Sequence, residues 1–370
     1  MCFRYYFQIL ANSVISWLGL LLCRLRSIFG MKSSEPQKIA VVQLGHLGDL
    51  ILTQPIILSL KERYAQAKIT LVTTKGNKEA VEYFFDKQQV IYYESSRFSR
   101  VGKDNKTEFR AGEYDLIIHL RGDWHILIEY FRSLKPVLIV GLSFHSRLRW
   151  AFLYSLGLPW FSSGEHQYET WKKVLFPLGL KLPERPVFKL SKTDMDDRDR
   201  LLQDLGLSKE KYAVIHATAP WAPRRWPAER FKGLAEYIRD VYGFQAVFIG
   251  LEKEGQEIDG MIPAGCFDLI GRLNLRQLLI LISASKVFIG NDSGPAHLAA
   301  ALDRPVLVFF GPQDPELFRP LGNKVTVLRG RRHCSPCWQT ICPYSSDRCL
   351  LGIGQDEAVV ALTELLEDKK

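Results

Sequence analysis

Apolar residues enter this chain in short, nearly unbroken runs, each followed by a longer stretch in which they recur at helical spacing. In the first half the runs fall at 38–44, 69–73, 90–93, 116–120 and 137–140; in the second they fall at 212–216, 246–250, 286–290 and 306–310. A run without polar alternation predicts a strand buried on both faces, as in a parallel sheet covered by helices. Helical patterning fills 50–64, 228–242, 275–283 and 357–366, and a short Ala-rich helix is predicted over 297–302. The alternation runs its course once, is interrupted by two prolines within 180–186, and starts again. It predicts an α/β chain of two successive α/β domains with a cleft between them, one over 38–185 and one over 186–370.

The densest local pattern is NDSGPAHLAAALDRPVLVFFGPQDP, residues 291–315. Asn291, Asp292 and Ser293 are good N-cap residues, and Gly294-Pro295 turns the chain into a helix. A helix that starts at the carboxyl end of a parallel sheet offers N–H groups and a positive dipole end, which suits a phosphate. Any well-capped α/β crossover shares these features. A second loop, GHLGD from Gly45 to Asp49, links the first strand to the first helix. It is not the GxGxxG fingerprint, and it carries little nucleotide signal alone. Asp49 sits where the strand hands over to the helix, at the mouth of the sheet, as either a helix cap or a catalytic base.

Residues 5–23 carry no charge, and Arg4, Arg24, Arg26 and Lys32 flank them. Gln8, Asn12, Ser13 and Ser16 interrupt the apolar run, so a helix lying in the membrane interface fits as well as a span. No small residues mark a cleavage point, and Leu20 to Leu22 before Cys23 make a poor lipoprotein signal. The segment 1–32 is therefore expected to associate with the cytoplasmic face of a membrane, the alternative being a helix packed on the protein itself.

Composition narrows the picture. Fractions of 47% hydrophobic and 24% charged residues are ordinary for a soluble globular protein and argue against disorder. The formal charge of +9 is uneven: residues 1–185 hold 25 Lys and Arg against 16 Asp and Glu, whereas residues 186–370 hold 24 of each. A basic first half points to an anionic partner, with Arg97, Arg100, Arg147 and Arg149 as candidate acceptor contacts. A dispersed solvated surface would give the same count. No basic stripe is interleaved with aromatics, which argues against nucleic acid. Four of the seven cysteines are clustered, Cys334, Cys337, Cys342 and Cys349. Their spacing suits a structural zinc, and it equally suits buried or redox-labile thiols.

In this order the pieces resemble glycosyltransferase family 9, the ADP-heptose–lipopolysaccharide heptosyltransferases. The resemblance spans about 38–365 and rests on QLGHLGDLILTQP from Gln43, HATAPWAPRRWPAERF from His216, the Gly250 to Glu254 block, and NDSGPAHLAAAL with FFGPQDP. The cysteine cluster resembles one found in part of the family. The resemblance implies the GT-B architecture, two facing Rossmann-like domains, the first for the acceptor and the second for the sugar nucleotide. It implies an inverting transfer with no obligatory cofactor, from an ADP-sugar donor to a lipopolysaccharide core acceptor. It also implies Asp49 as catalytic base, Glu254 at the nucleotide ribose, and Asp292, Ser293, Gly294 and His297 at the donor-binding helix start. Arg224 stands where the family usually has Lys, in Arg-Arg-Trp-Pro. A guanidinium is a planar fork rather than a point charge, yet it still neutralises a diphosphate, and Arg225 is the neighbouring alternative.

The chemistry has two demands. The attacking hydroxyl must lose a proton, which suits one carboxylate, Asp49. The nucleoside diphosphate must leave, which suits Arg224 and the N–H groups from Ser293 to Ala296. Closure of both domains on the substrates is expected. Two other readings remain open at this stage: transfer of a different sugar to another cell-surface glycan, and a catalytically silent sugar-nucleotide-binding protein.

Overall fold

The computed structural model describes residues 35–85, 89–93, 109–122, 126, 138–141, 165–255, 258, 260–337 and 341–367. The membrane-associating segment expected over 1–32 and the candidate acceptor residues Arg97, Arg100, Arg147 and Arg149 lie outside the described residues. The chain divides into two compact units between Pro183 and Glu184.

The first unit comprises β1 (Lys38–Gln43), α1 (Leu47–Arg63), β2 (Lys68–Thr73), α2 (Lys78–Phe84), β3 (Val90–Tyr92), β4 (Leu116–Arg121), β5 (Leu138–Gly141) and α3 (Gln167–Leu175). Its strands are parallel, in the order β3-β2-β1-β4-β5. Every residue of β1 after Lys38 is buried, as expected of a strand with both faces covered. The first helix begins at Leu47, three residues before the start that periodicity predicts at 50. His46 is its N-cap, and Asp49 reaches back to accept the His46 N–H at 3.0 Å. This is one half of a capping box, worth about 1 kcal/mol of helix stability.

The second unit comprises α4 (Lys192–Leu205), β6 (Tyr212–His216), α5 (Ala228–Tyr242), β7 (Gln245–Phe248), α6 (Glu252–Gly255), β8 (Phe267–Asp268), α7 (Leu275–Ser283), β9 (Val287–Asn291), α8 (Gly294–Ala301), β10 (Val306–Phe310), α9 (Pro315–Phe318), β11 (Val325–Arg329) and α10 (Gln355–Glu367). The parallel sheet has the order β11-β10-β9-β6-β7-β8. Trp226 anchors its core, stacked on Phe309 at 4.1 Å and edge-on to Phe231 at 4.9 Å. Its indole N–H donates to the Ile353 carbonyl at 2.9 Å, which satisfies the one polar atom of a buried side chain. Losing such a side chain to Ala costs about 3–5 kcal/mol. The C-terminal helix α10 packs on this unit, burying Ala358, Leu362 and Leu365 in the same core.

The two sheets share one logic. In each, the chain lays down its first three strands outward in one direction and then returns to the other side of the first. The reversal falls between β1 and β4 in the first unit and between β6 and β9 in the second. Parallel sheets bind ligands outside the carboxyl ends of the strands at such switch points.

Candidate active site

At the first switch point the loop after β1 meets the end of β4. Arg121, the last residue of β4, pairs with Asp49 at 2.7 Å, between side chains 31% and 11% exposed. The same oxygen, Asp49 Oδ2, accepts the His46 N–H. Behind this pair a buried polar frame fixes the loop. Gln43 accepts the Gly45 N–H at 3.0 Å and donates to Thr53 Oγ1 at 3.2 Å, while Asn77 donates to the Gly45 carbonyl at 2.8 Å. Both peptide groups of Gly45 are thus held from below. A Cβ on Gly45 would lie 2.2 Å from Asp49 Oδ2 and 2.7 Å from Asp49 Cβ, so a larger residue there would displace the carboxylate. Asp49 is therefore both a capping residue and a carboxylate aimed by a guanidinium at a switch point. The two roles left open by sequence position are compatible.

At the second switch point the structure brings together Arg224, Glu254, Asp292, Ser293 and Gly294. Ser293 holds the N-cap position of α8, and Gly294 and Pro295 open the helix. The Ser293 hydroxyl does not cap the helix; it lies 3.1 Å from His216 Nδ1 at the end of β6. His216 Nε2 lies 3.3 Å from Thr218 Oγ1, and Thr218 donates to Glu254 Oε2 at 2.9 Å. The Leu251 N–H also donates to that oxygen, at 3.2 Å. Burial holds the His216 imidazole neutral, pulling it down to about 4 even though nearby Glu254 opposes the shift.

Asp292 pairs with Arg224 at 3.4 Å, and the guanidinium stacks over Trp221 at 4.5 Å from its ring centre. Arg225 is engaged elsewhere, bracing the loop after β6 through the carbonyls of Ala219 at 2.6 Å and Pro220 at 3.4 Å. Asn291, one of three N-cap candidates in the sequence, instead ties this loop to the core. It donates to the Ala217 carbonyl at 3.0 Å and accepts the Trp226 N–H at 2.9 Å. His297 stands in the first turns of α8, partly buried.

Arg121, His216 and Thr218 were not singled out from sequence, nor were the framing residues Gln43, Thr53, Asn77 and Trp221. A charged residue closing the apolar run 116–120 is the only linear signal for Arg121. His216 and Thr218 lie inside a motif, yet their partners are 77 and 36 positions away.

The cysteines Cys334, Cys337, Cys342 and Cys349 are free thiols of intermediate exposure. Burial first, and then the proximity of Cys337, Cys342 and Cys334, pushes the Cys349 thiol up. Among the described residues no three potential ligands gather around one point. Four thiols suit zinc as donors, but among the described residues their placement does not form a site. Among the described residues, no helix is long and apolar enough to cross a membrane.

Known proteins resemble this chain in sequence and in fold. A lipopolysaccharide heptosyltransferase 3 of Escherichia coli is 27% identical over 297 residues, covering 75% of this chain and 84% of the relative. A family 9 glycosyltransferase from Veillonella parvula superposes with a TM-score of 0.67 at 21% identity, over 90% of this chain and 98% of that one. The E. coli ADP-heptose lps heptosyltransferase II gives 0.63 at 22% identity, over 90% and 99%. The two solved structures share the GT-B fold of paired Rossmann-like units with this chain. Residues 105–346 match the family described as glycosyltransferase family 9 (heptosyltransferase), and the chain belongs to that family of enzymes.

Proposed function

We propose that this glycosyltransferase moves a heptose from ADP-heptose to the inner core of lipopolysaccharide, inverting the anomeric configuration. The observation that carries the reading is the meeting of Arg224, Glu254, Asp292 and Ser293 at the second switch point. The E. coli proteins named above, a lipopolysaccharide heptosyltransferase and an ADP-heptose lps heptosyltransferase, support the donor and the acceptor. In this reading 38–185 is the acceptor domain and 186–370 the donor domain.

Each side chain has a task. Asp49, aimed by Arg121, takes the proton of the attacking hydroxyl as its oxygen bonds to the anomeric carbon. The bond from that carbon to the diphosphate oxygen breaks, and the negative charge passes to ADP. Arg224 and the N–H groups that open α8 receive that charge. Arg224 is better placed than Arg225, whose guanidinium is occupied by two loop carbonyls. Glu254, a buried carboxylate, accepts hydrogen bonds from the ribose hydroxyls.

Titrating ADP and adenosine against the protein tests the donor assignments. Arg224→Ala should weaken ADP by about tenfold and leave adenosine unchanged, since only ADP carries phosphates. Glu254→Ala should weaken both. Equal losses for the two ligands in Arg224→Ala would remove that residue from the diphosphate.

The segment 1–32 completes the proposal by holding the enzyme at the cytoplasmic membrane face, where basic flanks meet anionic headgroups. Full-length protein should sediment with anionic vesicles, and protein lacking 1–32 should stay in solution while retaining turnover. Equal sedimentation of both would contradict this role.

A further inference from the structure

His216 closes β6 at the second switch point, and the reaction described so far gives it no task. Its ring nevertheless joins two groups that have one. Nδ1 lies 3.1 Å from Ser293 Oγ, and Nε2 lies 3.3 Å from Thr218 Oγ1, which is 2.9 Å from Glu254 Oε2. A hydroxyl has one proton, and a carboxylate only accepts. Thr218 gives its proton to Glu254 and so offers His216 only a lone pair. Nε2 must then carry the ring proton. The buried ring is neutral at physiological pH, so Nδ1 is bare and accepts the proton of Ser293. The bonds run one way, from Ser293 to His216 to Thr218 to Glu254.

We propose that His216 is a positioning residue for the donor, joining the helix start at Ser293 to the carboxylate of Glu254 through this one-way relay. The inference rests on the reading above, in which Glu254 holds the ribose and the start of α8 faces the diphosphate. Two consequences follow from the direction of the bonds. Ser293 Oγ has its proton turned inward and meets a ligand only as an acceptor. Donation to phosphate therefore falls to backbone N–H groups and to Arg224, not to the serine hydroxyl. In addition, one ring sets the orientation of both halves of the donor site, so its two nitrogens are separable in function.

Asparagine and glutamine separate them. The Asn amide reaches about as far as Nδ1 and the Gln amide about as far as Nε2. His216→Asn keeps the Ser293 contact and loses Thr218; His216→Gln does the reverse. Calorimetric titration with adenosine reads the ribose half, and the gain in affinity from adenosine to ADP reads the diphosphate half. His216→Asn should weaken adenosine by about tenfold and preserve the gain; His216→Gln should preserve adenosine and cut the gain by a similar factor. His216→Leu should lose both. If all three variants melt earlier yet bind both ligands as the unmodified protein does, His216 is only a core residue and the proposal fails. Glu254→Ala and Arg224→Ala belong in the same series. Unchanged binding in those two refutes the donor-site reading itself, whereas weakened binding there with unchanged His216 variants refutes the relay alone.

Discussion

Arg121 and Asp49 are 72 positions apart in sequence and meet at 2.7 Å across the switch point of the first sheet. The pairing of β1 with β4 creates this contact, with Gln43 opposite Arg121 in the register. A carboxylate held from one side by a guanidinium and by a backbone N–H has little freedom to swing away from its task. Asp49→Asn keeps the shape and loses the base. It should lower kcat by about 10²-fold or more, with ADP affinity unchanged. Arg121→Met should lower kcat without raising KM for the donor, and Arg121→Lys should recover part of the loss. Normal turnover in Asp49→Asn would reduce Asp49 to its capping role.

Much of the architecture was legible because parallel strands are covered on both faces. Tyr212–His216, apolar up to its closing His216, and Val306–Phe310, apolar throughout, are buried along their whole length and fall where the pattern puts them. The elements not read from sequence lack that signal. β8 is only two residues long, β11 is half-buried along its length, and α4 is dominated by charged residues. Helix starts moved for a local reason: His46 and Ser293 set the N-termini of α1 and α8 earlier than apolar periodicity does. In the site, the motif residues Asp49, Arg224, Glu254, Asp292 and Ser293 stood out in the sequence, but Arg121, Thr218 and His216, which partner Asp49, Glu254 and Ser293, are brought to them by strand order. Sequence spacing carries no record of which strands become neighbours.

The buried imidazole of His216 makes stability depend on pH in a definite direction. In the unfolded chain it takes up a proton as pH falls below its ordinary value of 6.5, but in the folded protein only near about 4. Protonation therefore favours the unfolded state over this window. The contribution is fully present above the unfolded value, declines as pH falls toward the folded value, and declines no further below it. The slope is at most about 1.4 kcal/mol per pH unit. Urea denaturation at about pH 7 and about pH 5 should show a larger loss for the unmodified protein than for His216→Asn. Identical losses would mean that the imidazole is not held neutral.

The four thiols near the C-terminus give a separate test. Zinc would deprotonate them and draw Cys334, Cys337, Cys342 and Cys349 around one ion, adding stability without entering the reaction. If the four thiols close around zinc, protein purified without chelator should carry about one zinc per chain. Serine at Cys337 and Cys342 should abolish it and lower the melting temperature while leaving kcat unchanged. Metal-free protein with full stability would leave the four as ordinary thiols.

The central claim is that this enzyme transfers heptose from an ADP-linked donor. The most direct measurement incubates it with a truncated lipopolysaccharide core and a panel of ADP- and UDP-sugars, then weighs the acceptor by mass spectrometry. The account predicts that ADP-heptose alone extends the acceptor, by one heptose residue, with ADP released in equal amount and the product in the inverted configuration. Extension by a UDP-sugar, or an acceptor left unextended while ADP-heptose binds, would contradict it.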